Sequence, residues 1–341
     1  MKMGFVYTTE EFNKVIDTLK EKYRIFAPVL KVGEGRFRDT DVIRYDYIDR
    51  IEDAELETRS DYSFKEILTP ISETLFYFTE NEIKEADYDA RPVIVLMRSC
   101  DIHAVKRLDQ MYTGNGPNND WFYERLRDRV KFALIGCGHA CPNSFCVDMG
   151  SNKTDDYVFS VDEIDGKYYV DLKDEDLADA FKAADPETKD VEPRFVTESE
   201  FRVERPEEVP VELFKDEMWD EYTKRCVGCG RCNFVCPTCT CFTIQDVFYT
   251  DNGRVGERRR VNASCMVDGY TDVAGGLIMR KSNGERMRFK VLHKVYDFRK
   301  RFGYDMCVGC GRCDTVCPEY ISFSNCINKL NDRVKEVSAN V

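Results

Sequence analysis

Two stretches constrain this chain more than any others: CVGCGRCNFVCPTCTC at 226–241 and CVGCGRCDTVCPEY at 307–320. Each runs C-x2-C-x2-C-x3-C-P. The first uses Cys226, Cys229, Cys232, Cys236 and Pro237, the second Cys307, Cys310, Cys313, Cys317 and Pro318. Bacterial ferredoxins hold [4Fe–4S] clusters with this spacing, and in two-cluster members the fourth cysteine of each run ligates the other cluster. Gly228, Gly230, Gly309 and Gly311 let the backbone pass close to a cluster and turn N–H groups toward its sulfurs. The expected ligand sets are therefore crosswise: Cys226, Cys229, Cys232 and Cys317 for one cluster, and Cys307, Cys310, Cys313 and Cys236 for the other. Zinc also takes C-x2-C, but structural zinc sites usually pair two such units and do not run three cysteines into C-P. Two shared clusters move electrons singly and leave no coordination site for substrate, so the pattern suits a wire with no catalytic residue of its own.

The sequence has 16 cysteines in 341 residues, of which the two runs use eight. The opening MKMGFVYTTEEFNKV lacks the apolar core of a secretory leader, and no apolar run approaches the ~20 residues of a membrane span. The expectation is a cytoplasmic chain without a membrane span, whose thiols bind metal in preference to forming disulfides. A net charge of −13 argues against general nucleic-acid binding. The charge is uneven: residues 151–221 hold 24 acids and 9 bases, and residues 254–301 hold 13 bases and 5 acids. Either these are solvated faces, or the basic stretch docks an acidic partner or cofactor.

Thr8 with Glu11 forms a capping-box pattern ahead of Phe12, Val15, Ile16 and Leu19 at helical spacing. Residues 23–30 read as a strand interrupted by Pro28, residues 33–48 as strands and turns, and residues 67–78 as an apolar, moderately helical stretch. The run VIVLM at 93–97 fits a strand buried on both faces. A helix is expected next, with Ile102, Val105, Leu108 and Met111 on one face, and then a second buried strand, FALI at 132–135. Strand, helix, strand implies a βαβ unit with parallel strands. Cys100 and Cys137 then fall just past the carboxyl ends of neighbouring strands, where open α/β sheets place their sites. Residues 157–172 read as a hairpin turning at Asp165-Gly166. From residue 211 the pattern turns helical, with helices leading into each cysteine run and closing the chain. The expected class is α+β. An N-terminal α/β domain with a mixed sheet spans 1–173, an acidic linker 174–210, and an α-helical ferredoxin-type domain with two [4Fe–4S] clusters 211–341.

Cys100, Cys137, Cys141 and Cys146 match no ferredoxin spacing, yet thiolate ligation there would favour a third Fe–S cluster, a [4Fe–4S] by expectation, or zinc. Asp101 and His139 are substitutes if one cysteine is not a ligand, and the plain alternative is that buried cysteines pack as small hydrophobes. Cys239, Cys241 and Cys265 lie close to the first run without a fourth partner, and Cys326 reads as a helix residue. Arg258, Arg259, Arg260, Arg286, Arg288 and Lys290 surround Cys265 in sequence. They are expected to be solvated, to neutralise reduced clusters and thiolates, or to dock an acidic subunit. No P-loop, HExxH or GxSxG occurs, Gly33-Glu-Gly35 is too short for dinucleotide binding, and His103, His139 and His293 form no metal triad pattern.

Several longer blocks carry a resemblance: RFRDTDVIRY at 36–45, ISETLFYF at 71–78, SCD at 99–101, FCV at 145–147, GERRR at 256–260, SCM at 264–266 and HKV at 293–295. With the cysteine runs they make the chain resemble the A subunit of the anaerobic sulfite reductase family, itself related to the iron–sulfur β subunits of sulfhydrogenases. The resemblance implies an electron-transfer subunit. It would stand between a flavin (FAD) subunit that oxidises NADH and a sirohaem subunit that reduces sulfite. Two other readings stay open: a sulfhydrogenase β subunit serving a nickel–iron partner, and a self-contained Fe–S enzyme or redox sensor built on Cys100–Cys146.

Overall fold

The computed structural model describes residues 3–37 and 39–339. Met1 and Lys2 of the opening segment, Arg38 of the RFRDTDVIRY block, Asn340 and Val341 lie outside the described residues. The strands in chain order are β1 (Met3–Tyr7), β2 (Arg24–Lys31), β3 (Val42–Ile48), β4 (Ser72–Phe78), β5 (Ile83–Glu85), β6 (Val93–Arg98), β7 (Val130–Ile135), β8 (Phe159–Ile164), β9 (Lys167–Leu172), β10 (Glu187–Thr188), β11 (Phe242–Phe248), β12 (Gly256–Asn262), β13 (Asp272–Val273) and β14 (Leu277–Ile278). The α-helices are α1 (Thr9–Lys20), α2 (Ser99–Tyr112), α3 (Trp121–Arg127), α4 (Ala178–Lys182), α5 (Asp220–Arg225), α6 (Arg231–Phe234), α7 (Asn283–Leu292), α8 (Phe298–Phe302), α9 (Arg312–Val316) and α10 (Phe323–Ala339). The chain divides into two compact units. One comprises Met1–Phe64, Ala90–Glu200 and Val308–Cys310, and the other Lys65–Asp89, Phe201–Cys307 and Gly311–Val341.

The first unit is built on an eight-stranded sheet of order β10-β1-β9-β8-β7-β6-β2-β3. Its centre is parallel, β2 with β6, β6 with β7 and β7 with β8, and its flanks are antiparallel, so the sheet is mixed. All six residues of β6 are buried, because α2 follows it and the strand lies inside the sheet. In α1 the Thr8 hydroxyl accepts from the Glu11 N–H and the Glu11 carboxylate from the Thr8 N–H, which satisfies two orphan donors of the first turn. The buried stripe Phe12, Val15, Ile16 and Leu19 belongs to the core, with the Phe12 ring stacked on Tyr168 at 5.3 Å. Each such side chain stabilises the unit by about 1.5–3 kcal/mol on burial. The β8–β9 hairpin turns at Asp165 and Gly166, whose φ values of 52° and 72° belong to a type I′ turn.

Residues 174–200, expected within the linker, belong to this unit. Their acidic composition hides an apolar set, Leu177, Ala178, Ala180, Phe181 and Ala184, that packs into the core. The Phe181 carbonyl accepts a hydrogen bond from the Tyr7 hydroxyl at 2.8 Å.

The second unit differs from an all-helical ferredoxin domain, because it contains a four-stranded antiparallel sheet of order β11-β12-β4-β5. The stretch at 67–78 is largely the strand β4, where a helix was expected. Short apolar runs do not distinguish the two by period alone, and pairing with β12 and β5 supplies the ladder that decides it. Around the sheet, α7 starts from a Ser282–Glu285 capping box and passes through a π-helical turn, His293–Asp297, into α8. Gly303, with φ of 85°, ends α8, and α10 closes the chain.

Candidate metal centre

The second unit gathers cysteines from both runs. Cys226, Cys229, Cys232, Cys313 and Cys317 line one cavity with about 470 Å³ of empty space including its mouth. Met266, Met287, Ile321 and Phe323 make its apolar wall. Backbone geometry brings this about. Gly228 and Gly230 take φ values of 65° and 75°, and Gly309 and Gly311 repeat them at 62° and 75°. After the second glycine of each pair a short helix begins, α6 or α9. The Gly228 N–H donates to Cys226 Sγ at 3.4 Å and the Ile321 N–H to Cys317 Sγ at 3.4 Å, the polarity a thiolate requires. Burial pushes the Cys226 and Cys232 thiols up from their ordinary values, as it does for any thiol without a metal to take its proton's place. Among the described residues, no three His, Cys, Asp or Glu side chains are placed to hold one metal ion. A single zinc draws its sulfurs to about 2.3 Å from one point, whereas these thiols line the wall of a cavity, which fits a broader body such as a cubane.

Two buried lysines one helical turn apart face these thiols. Lys290 is 4% exposed and shares the cavity wall. Burial works against its charge, but the thiolates of Cys232 and Cys313 and a hydrogen bond to Cys232 outweigh it and hold Lys290 well above the ordinary lysine value. Lys294, 5% exposed, donates to the Thr238 hydroxyl at 2.7 Å and the Thr238 carbonyl at 3.0 Å. Burial again opposes the charge, and Cys236, Cys239 and Cys307 raise it. Cys236 is itself held below its ordinary value: burial pushes it up, and Lys294 with Thr238 overcomes that. Lys294 thus holds Cys236, the fourth cysteine of the first run, in its field, while its carbonyl accepts from the N–H of Cys307, the first cysteine of the second, at 3.1 Å.

Cys239, Cys241 and Cys265 also come together in this unit. The Asn233 side-chain amide donates to Cys265 Sγ at 3.1 Å. Lys65, 4% exposed, donates to the carbonyls of Asn233 and Cys239, both at 3.4 Å. Cys265 is lowered, chiefly by a hydrogen bond from Cys241. Cys326 is a buried residue of α10, its thiol pushed up to about 12 by burial, in keeping with a plain packing role.

In the first unit Cys100 stands in the first turn of α2 and Cys137 two residues past β7. The Arg98 guanidinium, 5% exposed, donates to Cys137 Sγ at 3.4 Å and to the carbonyls of Leu56 and Glu57 at 2.8 and 2.6 Å. Burial opposes its charge, and Cys137, Cys141 and Cys100 together raise it, so all three thiols lie within its field. Cys146, 8% exposed, is pushed up to about 11 by burial first and by the charge of Cys137 second. In the intervening loop the Ser144 hydroxyl is buried without a hydrogen-bond partner. A buried hydroxyl without a protein partner in a thiol-bearing loop fits a loop built to hold a bound group. His139, expected as a substitute ligand, lines a polar cleft with Arg98, Asp162 and Arg194, with about 870 Å³ of empty space including its open mouth. Asp101, the other substitute, is fully buried in α2.

Most of the basic cluster lies away from the thiols. Arg258 pairs with Asp246 at 2.7 Å, Arg259 with Glu257, and Arg286 with Asp268, while Arg288 bonds the Phe214 carbonyl and Arg260 lies over the Phe242 ring. Of the six, Lys290 is the one set against cassette cysteines. Sequence reading missed Lys65, Lys294 and Arg98. The visible signal for the pair on α7 and its π turn was two lysines four apart between apolar residues, Val291, Leu292 and Val295. His293 stacks on Phe289 at 5.6 Å, and burial lowers it to about 4. Among the described residues no helix is long and apolar enough to cross a membrane.

Residues 225–321 match the 4Fe-4S dicluster domain family. The dicluster segment takes in both cysteine runs together with Cys239, Cys241 and Cys265, and it marks the chain as an iron–sulfur protein. Beyond it, the chain is 28% identical to sulfhydrogenase 2 subunit beta of Pyrococcus furiosus, with 98% of each chain covered. No solved structure matches this chain.

Proposed function

We propose that this chain is the electron-transfer iron–sulfur subunit of a multi-subunit oxidoreductase, with two [4Fe–4S] clusters in its dicluster segment. The observation that carries the reading is the cavity where Cys226, Cys229 and Cys232 meet Cys313 and Cys317 of the other run, Cys317 being the fourth cysteine of that run. Cys226, Cys229, Cys232 and Cys317 are the proposed ligands of one cluster, and Cys307, Cys310, Cys313 and Cys236 those of the other. When bound, such clusters store and pass single electrons. The protein's part is to wall the thiols with Met266, Met287 and Phe323, aim N–H groups at sulfur, and set Lys290 and Lys294 against the negative charge. A third [4Fe–4S] site is proposed at Cys100, Cys137, Cys141 and Cys146, supported by the shared field of Arg98 and the orphaned Ser144 hydroxyl.

The full-length likeness to a sulfhydrogenase subunit favours a hydrogenase complex with a nickel–iron partner over the sulfite reductase assembly first expected. The second reading, transfer from an FAD subunit that oxidises NADH to a sirohaem subunit, rests on the sequence blocks alone. Co-purification from the native source decides between them by showing nickel or sirohaem in the partner.

The Cys317→Ser variant tests the crosswise assignment. It removes the cluster held with Cys226, Cys229 and Cys232 and leaves the other, so EPR of the reduced protein loses the interaction between two neighbouring paramagnets. A Cys229→Ser variant giving the same residual spectrum supports the assignment. If Cys317→Ser instead matches Cys310→Ser and differs from Cys229→Ser, each run holds its own cluster.

A further inference from the structure

We infer, on the strength of the clusters proposed above, that Cys310 is the junction at which electrons cross between the second cysteine run and the site at Cys100, Cys137, Cys141 and Cys146, and that Arg59 is the residue positioning it. Val308–Cys310 belongs to the first unit, together with Arg59 and the segment at 137–151. Three hydrogen-bonded bridges join them. The Phe145 N–H donates to the Gly309 carbonyl at 2.8 Å, so a single hydrogen bond completes an otherwise covalent path from Cys310 to Cys146. Arg59, 8% exposed, donates from one Nη1 to the Pro142 carbonyl at 2.8 Å and to the Cys310 carbonyl, which links Cys310 to the chain neighbour of Cys141 through one guanidinium. The Ser151 hydroxyl donates to the Val308 carbonyl at 2.6 Å and its N–H to the Cys146 carbonyl at 3.0 Å. The Ser151 carbonyl in turn accepts from the hydroxyl of Ser99, the residue before Cys100, at 2.9 Å. Three of the four proposed ligands of the third site are thus tied to 308–310 through themselves or a chain neighbour. The two backbones touch: a Cβ on Gly309 would meet the Phe145 carbonyl oxygen at 2.5 Å and the Cys146 nitrogen at 2.7 Å.

An electron tunnels most readily along bonded atoms and across short hydrogen bonds, and these bridges supply such a route between ligand cysteines of two centres. The step moves one electron. The centre on one side is oxidised by one electron and the centre on the other reduced by one, with no bond made or broken, no proton moved and no co-reactant. Arg59 is buried where its charge needs hydrogen-bonding partners, and the Pro142 and Cys310 carbonyls are two of them. Its guanidinium therefore acts in two ways. It pins Cys310 against the neighbour of Cys141, and it sets a fixed positive charge beside both centres, which favours the more negative, reduced state of each.

The test uses the intact holoprotein, purified without oxygen and reduced with dithionite, and reads the EPR power saturation of the signal that disappears in Cys100→Ser. A nearby paramagnet speeds the relaxation of that signal and makes it hard to saturate. Cys310→Ser is expected to lower its half-saturation power severalfold, and Cys229→Ser to leave it unchanged. The reverse order, or equal values in Cys310→Ser and wild type, overturns the junction. A redox titration that removes no ligand tests Arg59. In Arg59→Met the midpoint potentials of the Cys100-dependent and Cys310-dependent signals are both expected to fall while that of the Cys229-dependent signal stays, and Arg59→Lys restores both. Potentials unmoved in Arg59→Met, or no recovery in Arg59→Lys, overturn the role of Arg59. A Cys100→Ser protein with the wild-type spectrum and iron content overturns the inference at its premise, the third cluster, and leaves the two-cluster wire standing, so the two failures are told apart.

Discussion

At Lys290 a full positive charge sits 4% exposed beside Cys232 and Cys313, where burial alone favours the neutral amine. The charge persists because the thiolates, and any cluster they hold, are anionic, and each partner stabilises the other's ionised form. Lys290→Met removes that stabilisation from the reduced cluster, which carries the extra electron. The midpoint potential in an EPR-monitored titration is expected to fall by about 60 mV or more, a tenfold change for one electron. Lys290→Arg retains the charge and restores most of the potential. An unchanged midpoint in Lys290→Met would show that the ammonium does not act on the cluster. This residue was visible in the sequence only as one of six basic neighbours of Cys265. Its burial was not, because a lysine between Phe289 and Val291 reads the same on either helix face until packing partners are known.

Gly309 shows how an element, not a single contact, sets the second cysteine run. Its φ of 62° already disfavours a side chain, and a Cβ there would meet the Phe145 carbonyl oxygen at 2.5 Å and the Cys146 nitrogen at 2.7 Å. The Phe145 N–H donates to the Gly309 carbonyl at 2.8 Å, and the Ser151 hydroxyl to the Val308 carbonyl at 2.6 Å, so the backbone has no room to yield. Gly309→Ala is expected to cost about 1–3 kcal/mol and to lower the thermal midpoint of the holoprotein. Gly116→Ala, where a Cβ meets nothing within 4 Å, serves as the control and leaves it unchanged. Equal midpoints for the two variants would contradict this account. The need for glycine at 309 was legible in the repeated C-x-G-C-G pattern, but its packing against the segment at 145–146 was not, since 163 positions separate Gly309 from Cys146 in the chain. Elements with strong local signals were legible for the same reason: the Thr8–Glu11 box, the VIVLM strand and the Asp165-Gly166 turn each carry their conformation within a few residues. β4 was not, because its strand state comes from pairing with β12, distant in sequence.

For the whole molecule, the mixed sheet followed from the βαβ pattern, and the iron–sulfur character from cysteine spacing alone. The division of the chain did not. Both units are assembled from separate segments, and a reading that moves along the sequence draws boundaries where composition changes, at 174 and 211, not where contacts close. The partner complex was also out of reach of spacing, and it is the full-length relative, a sulfhydrogenase 2 subunit beta, that supplies a comparison beyond the cysteine runs. If both cysteine runs cage [4Fe–4S] clusters, the protein holds iron and acid-labile sulfide in matching amounts, measured per chain together with EPR on protein purified without oxygen. The expected result is a brown protein with roughly twelve irons per chain, falling to about eight in Cys100→Ser, with EPR of interacting reduced clusters in both. A colourless protein with zinc and no labile sulfide would contradict it.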